Sequence, residues 1–362
     1  MLNFMHFNAL VFILAIEYVQ SLAVPDFPAD SVSHAIPLPL EFTIGSANGL
    51  KKRAVTEKFQ NANDISYNLD LYLGSNKQKS SVIIDTGSSD LWVPASTYDY
   101  TTSDSAKDTG NPFSIEYADG TAVNGEFYTD KLALGSNGSF ISQFQFAAAV
   151  AKGPGVLGIA DRRQESTQES YDNLPWALKK AGLIPKASYS LYLSEDHGSG
   201  VIIFGGIDNE KYEGDLVKYG IVQDMDLLAL NVQSVTAEGQ KFDENNAYIL
   251  DSGTSLALVS EGMMEVISGA LNVDMDGFVS CEQPKDQYIA FDFGKNTVKM
   301  PYSDSIYSNG DGTCSVAFSA SQELFILGDV FLRHAYVYYD LTDHTISLAQ
   351  VKHSLKSNVT AA

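Results

Sequence analysis

The sequence predicts a mainly β protein built as two like lobes, with a few short helices, and three observations carry that prediction. Between Ala54 and Lys352 the chain alternates short apolar runs with Gly, Asn, Asp and Ser, as in "ISYNLDLYLG", "SYSLYLS", "GVIIFGG" and "AYVYYDLTDHTISLAQV", which is the pattern of strands and hairpins. Helical periodicity is confined to "DNLPWALKKAG" and "SEGMMEVISGAL", too little for a helical or alternating α/β fold. Finally, one motif occurs twice. "VIIDTGSSDLWVP" ends a strand-like run at Val82 to Pro94, and "YILDSGTSLALV" follows at Tyr248 to Val259, with the aspartates 166 residues apart. Each copy is later followed by two apolar residues and a glycine, Val156-Leu157-Gly158 and then Ile326-Leu327-Gly328. A duplicated lobe, paired face to face about a pseudo-two-fold axis, would bring Asp85 and Asp251 together on two tight turns.

The 362 residues, 44% of them hydrophobic, suffice for one large domain or two lobes around a substantial core. Residues 1–23 read as a secretory signal, because "ALVFILAI" is too short to span a bilayer and Ser21-Leu22-Ala23 offers small residues for cleavage. Residues 24–53, rich in Pro and Ser and closed by Lys51-Lys52-Arg53, suit a propeptide removed at a dibasic site, with Lys52 and Arg53 as the processing residues. That leaves a body of 54–352, divided into lobes of about 54–200 and 201–352, and a short tail of 353–362 without an apolar anchor. The whole predicts a secreted, extracellular protein.

The chain carries 23 Lys+Arg against 45 Asp+Glu, of which only three and four precede Ala54. So acidic a surface repels nucleic acid and anionic lipid and suits an acid medium, where carboxylates protonate and self-repulsion falls. No nucleic-acid or membrane partner is expected, and no coiled-coil segment points away from a monomer. Two cysteines, Cys281 and Cys314, predict one disulfide in a secreted chain, stabilising by roughly 3 to 4 kcal/mol. The six histidines are scattered without ligand spacing, so no metal is expected. Asn137 and Asn358 open candidate glycosylation triplets, and Arg162-Arg163 is a second candidate cleavage point.

With these motifs in place, the chain resembles the pepsin-type aspartic endopeptidases, and most of all the secreted aspartic proteinases of yeasts, the candidapepsin-like group. The likeness runs through residues 54 to 352 and includes "YDNLPWALKKAGLIPKASYSLYL", "VIIFGGIDNEKYEGDL" and "FILGDVFLRHAYVYYDL". It implies the bilobal acid-protease fold with a cleft between lobes, and hydrolysis of internal peptide bonds at acid pH by a water held between Asp85 and Asp251. Two carboxyl groups pressed together cannot both ionise easily, so they share a proton; one takes a proton from the water while the other donates to the scissile carbonyl oxygen. No cofactor is needed.

The resemblance further assigns Thr86 and Ser252 to bonds across the lobe junction and Ser88 and Thr254 to the outer carboxylate oxygens, while Gly87 and Gly253 let backbone N–H groups approach the acids. "IEYADGTAVNG" becomes the flap, with Tyr117 hydrogen-bonded to Trp92 and Asp119, Gly120 and Thr121 at its tip. Extended polypeptides are then the substrates, and pepstatin-like compounds the inhibitors. Position 118 is Ala where the family often has Gly, the relatives' first-lobe disulfide is absent, and "ASTYDYTTSDSAKDTGNPF" is short for that loop.

Other readings compete. Gly153-Pro154-Gly155-Val156-Leu157-Gly158 matches the dinucleotide pattern G-x-G-x-x-G, but "IADRRQESTQES" opens no helix and no strand-helix series continues. A two-carboxylate glycosidase would not explain matched turns in a duplicated order. The remaining alternative is a catalytically weak or inactive secreted binding protein on the same fold, against which both aspartates, both glycines and the flap tyrosine are retained.

Overall fold

A computed structural model describes residues 35–45 and 64–362 apart from 118, 119, 137, 139, 168, 195–198 and 224–225. The predicted signal, the dibasic site at Lys52 and Arg53, and Ala118, Asp119 and Asn137 lie outside the described residues. The first half runs β1 (Ile36–Gly45), β2 (Asp64–Leu73), β3 (Gln78–Asp85), β4 (Leu91–Pro94), β5 (Lys107–Glu116), β6 (Ala122–Leu134), β7 (Phe140–Ala149), β8 (Gly155–Gly158), α1 (Leu174–Lys180), β9 (Ser188–Leu193) and β10 (Ser199–Phe204). There follow β11 (Gly206–Asp208), β12 (Tyr212–Gly220), β13 (Ala229–Asn231), β14 (Ser234–Ala237), β15 (Gln240–Asp243), β16 (Ala247–Leu250), β17 (Ala257–Val259) and α2 (Glu261–Leu271). The last part comprises β18 (Phe278–Val279), β19 (Tyr288–Asp292), β20 (Thr297–Pro301), β21 (Ile306–Ser308), β22 (Cys314–Val316), β23 (Phe318–Ala320), β24 (Ile326–Leu327), α3 (Asp329–Leu332), β25 (Ala335–Asp340), β26 (Thr345–Val351) and β27 (Val359–Ala361).

The two helical signals in the sequence are α1 and α2. In α2 the Ser260 hydroxyl caps the helix by accepting from the Met263 N–H at 3.3 Å, Asn272 ends it in the left-handed conformation, and Met263, Ile267, Ala270 and Leu271 form its buried stripe. Apart from the single turn of α3 and three short 3-10 turns, the regular structure among the described residues is strand.

The repeat seen in the sequence is a repeat of topology. β3 lies parallel to β8, pairing Asp85 with Gly158, and β4 returns antiparallel to β8. In the second copy β16 lies parallel to β24, pairing Leu250 with Leu327, and β17 returns antiparallel to β24. The glycine of each apolar triplet has a packing reason: a Cβ on Gly158 would strike the backbone of Ser88, Ser89 and Asp90, and one on Gly328 the carbonyls of Thr254 and Leu256. Each triplet crosses hard against the turn that follows its aspartate. The dinucleotide reading fails for the same reason, since Gly155 to Gly158 is strand β8 inside a sheet.

A 13-stranded sheet in the order β12-β26-β25-β9-β10-β1-β2-β3-β8-β4-β7-β6-β5 joins the two halves of the chain. The strand between β10 and β2, β1, belongs to the segment read from sequence as a removable leader; Ile36, Leu38 and Leu40 are all buried in the main core. The ladder with β2 begins only at Glu41, so over Pro37 to Pro39 the strand pairs on one side alone, where proline is tolerated. The tail is also docked: β27 pairs with β11, and Asp208 accepts hydrogen bonds from the Ser357 hydroxyl and the Asn358 N–H, both at 2.7 Å.

Candidate active site

Asp85 is the last residue of β3 and Asp251 the first after β16, so each emerges where a buried strand meets a tight turn; both are almost fully buried. The two turns are near copies. Asp85 Oδ1 accepts from the Gly87 N–H at 2.8 Å and Oδ2 from the Ser88 hydroxyl at 2.6 Å. Asp251 Oδ1 accepts from the Gly253 N–H at 2.8 Å and Oδ2 from the Thr254 hydroxyl at 2.6 Å. Each carboxyl is thereby fixed in orientation by two donors. The Asp251 carboxyl also reaches the first turn across the junction: a Cβ on Gly87 would lie 2.6 Å from its Oδ1 and 3.0 Å from its Oδ2. Only glycine at 87 lets the Asp251 carboxyl press against the turn that carries Asp85.

The residues between acid and glycine hold the halves together. Thr86 Oγ1 donates to the Leu250 carbonyl at 2.7 Å and accepts from the Ser252 N–H at 3.0 Å. Reciprocally, Ser252 Oγ donates to the Ile84 carbonyl at 2.9 Å and accepts from the Thr86 N–H at 3.3 Å. All four groups are buried, so each hydroxyl that failed to reach its partners would leave unpaired polar atoms at about 1–3 kcal/mol apiece.

β5 and β6 form a hairpin whose outermost pair is Glu116 with Ala122. Its turn is closed by the Tyr117 N–H donating to the Thr121 carbonyl at 2.9 Å and the Gly120 N–H to the Tyr117 carbonyl at 2.8 Å, with Gly120 at φ 78°. Trp92 Nε1 donates to the Tyr117 hydroxyl at 2.7 Å. The hairpin base packs Phe113, Val123 and Phe127 with Trp92 in a core of its own. The hairpin is therefore anchored by aromatic packing and one specific bond near its tip.

Two features of the site escape a linear reading. The first is Asp329, opening α3 directly behind the second turn, with its N–H on the Thr254 carbonyl at 2.8 Å. It is fully buried, and among the described residues neither carboxyl oxygen finds a hydrogen-bond partner. Burial drives its pKa well above the usual carboxylate range; Arg333 opposes the rise, and Asp251 and Asp85 add to it. The equivalent of Asp329 after the first triplet is Ile159, so the repeat is broken at that point. Nearby, Tyr339 donates to the Leu250 carbonyl at 3.1 Å and stacks on Tyr189 with centroids 4.9 Å apart. Burial raises both phenols, which stay neutral.

The second is a buried acid pair beside the first turn. Asp90 accepts from the Tyr171 hydroxyl and the Ser166 N–H, each at 2.8 Å, while Glu165 accepts from the Tyr171 N–H at 2.6 Å. Burial first, and then the Asp90 charge, pushes the Glu165 carboxyl up to about 8. Ser166 and Tyr171 lie 76 and 81 positions from Asp90 along the chain, and no local pattern announces the pair.

Among the remaining predicted residues, Cys281 and Cys314 are bonded, with Cα atoms 5.3 Å apart, and join the segment after β18 to β22. Arg162 lies over the Trp176 ring at 4.2 Å and pairs with Asp172 at 3.2 Å. Arg163 pairs with Asp161 at 3.0 Å and with Asp226 at 2.9 Å. Asn358 is exposed on the docked tail, one residue before β27. Among the described residues there is no group of three or more His, Cys, Asp or Glu able to hold a metal ion, and no helix long and apolar enough to cross a membrane.

Comparison with known proteins agrees with this geometry. The family model for eukaryotic aspartyl protease matches residues 66–351. Secreted aspartic protease 3 of Candida albicans is 38% identical over 348 residues, covering 86% of each chain. Secreted aspartic protease 4 of the same organism is 36% identical and covers 82% of this chain and 79% of its own. Candidapepsin of Candida tropicalis is 32% identical over 387 residues, covering 98% of this chain and 97% of its own. The chain belongs to the eukaryotic aspartyl protease family, and its mainly β architecture is that of the pepsin-like fold.

Proposed function

We propose that the protein is a secreted endopeptidase of acid media in which Asp85 and Asp251 are the catalytic pair. The observation that carries this reading is the mirrored pair of turns: two buried carboxyls, each held by a glycine N–H and a hydroxyl, locked to one another by the Thr86 and Ser252 exchange. With one proton shared between the acids, a water seated between them loses a proton to the ionised carboxylate as its oxygen attacks the scissile carbonyl carbon. The protonated carboxyl donates to the carbonyl oxygen, giving a neutral tetrahedral diol. The carboxyl that took the water's proton then passes it to the amide nitrogen while the other carboxylate takes a proton from a diol hydroxyl; the C–N bond breaks, an amine and a carboxylic acid leave, and the pair again holds one proton.

Substrate would lie extended under the hairpin, its backbone bonding to Gly120 and Thr121 on one side and near Gly87 and Gly253 on the other, with side chains alternating into subsites. Ser88 and Thr254 fix the carboxyls for this step, while Trp92 steadies Tyr117. Asp119 at the tip favours a basic as well as a large apolar residue before the cut. Processing after Lys52-Arg53 and modification of Asn137 and Asn358 belong to the same secretory reading, which the names of the Candida relatives support.

The test is digestion of a random peptide library at acid pH. Wild type is expected to cut extended peptides and to be blocked by a pepstatin-type transition-state mimic; Asp251→Asn should lose activity by at least about 10³-fold. Equal cutting by both proteins would refute the assignment.

A further inference from the structure

We infer that Asp90, Glu165 and Tyr171 are a positioning unit that seats the β5–β6 hairpin against the turn of Asp85, and that the seat is released when Glu165 gives up its proton. The hairpin is here the flap proposed above to close over Asp85 and Asp251, so the seating rests on that reading and adds what holds the hairpin from behind.

Aromatic rings carry the contact. Phe113 of β5 meets Phe127 of β6 edge to face with centroids 5.2 Å apart, and Phe127 meets Tyr171 in the same manner at 6.1 Å. Both phenylalanines are buried with Trp92 and Val156 beneath the hairpin, and Tyr117 and Tyr171 pack against that cluster. Tyr171 is thus the far end of a run of rings that reaches both strands of the hairpin.

What fixes Tyr171 is the stretch that follows Asp85. The Asp90 carbonyl accepts the Gly158 N–H at 3.0 Å, and its carboxyl takes the Tyr171 hydroxyl on Oδ1 and the Ser166 N–H on Oδ2, each at 2.8 Å. Glu165 closes the arrangement by accepting the Tyr171 N–H on Oε2 at 2.6 Å. In the second copy of the motif Leu256 stands at the place of Asp90, so the device belongs to the lobe that carries the hairpin.

The unit tolerates one negative charge and not two. Oε1 of Glu165 is buried and meets no hydrogen-bond partner among the described residues, which costs a carboxylate far more than a neutral acid. The groups facing Glu165 are Asp90, Tyr171, Arg162 and Asp172. Of these only Arg162 is a cation, and it is turned to Asp172 at 3.2 Å and to the Trp176 ring at 4.2 Å. Burial, with the Asp90 charge adding to it, keeps the proton on Glu165 up to about 8, while the Tyr171 phenol, raised well above its usual range by burial, stays neutral throughout. As pH rises through that value a second charge appears beside Asp90 and the two acids repel. Tyr171, bonded to both, then cannot keep its place against Phe127.

The experiment follows Trp92 in the full chain. There are two tryptophans, so Trp176→Phe leaves Trp92 as the only one. Its emission is recorded from acid to mildly alkaline pH, well below the unfolding temperature and with circular dichroism as a check on the fold. We expect one step in emission wavelength as Glu165 loses its proton, and no step when either Glu165→Gln or Tyr171→Phe is added. A step that survives in either combination overturns the inference, and so does a flat trace from Trp176→Phe itself. Kinetics at acid pH give a second reading, with working sites counted by titration with a pepstatin-type inhibitor. Tyr171→Phe should raise KM by roughly 3- to 10-fold and change kcat by less than about twofold. A fall in kcat or in titratable sites with KM held would mean that Tyr171 serves folding alone, and the inference would be wrong. If wild type cuts nothing, the protease assignment fails by itself, and the emission step, which needs no substrate, still decides the seat.

Discussion

Glu165 is the residue whose chemistry most directly links this fold to acid conditions. Its folded carboxyl titrates at about 8 against an ordinary 4.5, so the native state holds a proton that the unfolded chain gives up. The stabilisation is complete below the ordinary value and is lost as pH rises from there through about 8. Asp90 is raised by burial as well, so deprotonating Glu165 would add a second charge to one buried pocket. Glu165→Gln keeps the shape of the protonated acid and can still accept the Tyr171 N–H. Thermal unfolding of the variant should match wild type at acid pH and exceed it at neutral pH, at roughly 2–4 °C for each kcal/mol recovered. Coincident curves at every pH would show that the carboxyl plays no part in neutral lability. The paired turns of Asp85 and Asp251 were legible in the sequence because their turn chemistry is contiguous. Asp90 was not, though it stands inside the quoted motif, since its significance depends on Glu165 and Tyr171 arriving from a distant loop. Asp329 could have been found by aligning the two apolar triplets, where a carboxyl stands opposite Ile159.

At the scale of elements, the Trp92 to Tyr117 bond of 2.7 Å ties the tip of the β5–β6 hairpin to the lobe beneath. Trp92→Phe removes the donor and some ring volume; Tyr117→Phe removes the acceptor and leaves the packing. A net hydrogen bond of this kind contributes about 1 kcal/mol, so each variant should lower kcat/KM by roughly fivefold, mostly through KM, provided the bond acts by positioning the closed hairpin. The double variant decides. Losses that merely add would show the bond to be idle, whereas a double variant no worse than the poorer single one shows that the pair acts as a unit. The hairpin was readable from "YADG" as turn chemistry between two alternating runs. β1 was not, because Pro37 and Pro39 break the pattern of a strand and the dibasic site behind it invites reading the whole segment as disposable. Only the sheet order shows that this stretch is core.

Across the whole molecule, the balance of charge sets how the fold responds to solution conditions. The formal net charge is −22 at pH 7, with a pI near 4.5. Several carboxylates do find cations at the surface, as in Lys79 with Asp70 and Arg163 with Asp226, but exposed pairs of this type contribute about 0–1 kcal/mol each and are weakened by salt. Self-repulsion among the unmatched acids acts in the opposite sense: it favours the expanded chain and is relieved by salt, since the screening length falls from about 10 Å at 0.1 M to about 3 Å at 1 M. With roughly twice as many acidic as basic residues, the second effect should win at neutral pH. Sodium chloride is therefore expected to raise Tm at pH 7 and to do little near the pI, where the net charge that it screens has gone. Glu165→Gln should show the same salt slope as wild type, because a buried carboxyl is poorly screened, which separates the local source of neutral lability from the global one. A Tm that falls with salt at pH 7 would mean that the surface pairs outweigh the unmatched acids. In that case acid stability would have to come from buried sites such as Glu165 and Asp90 alone.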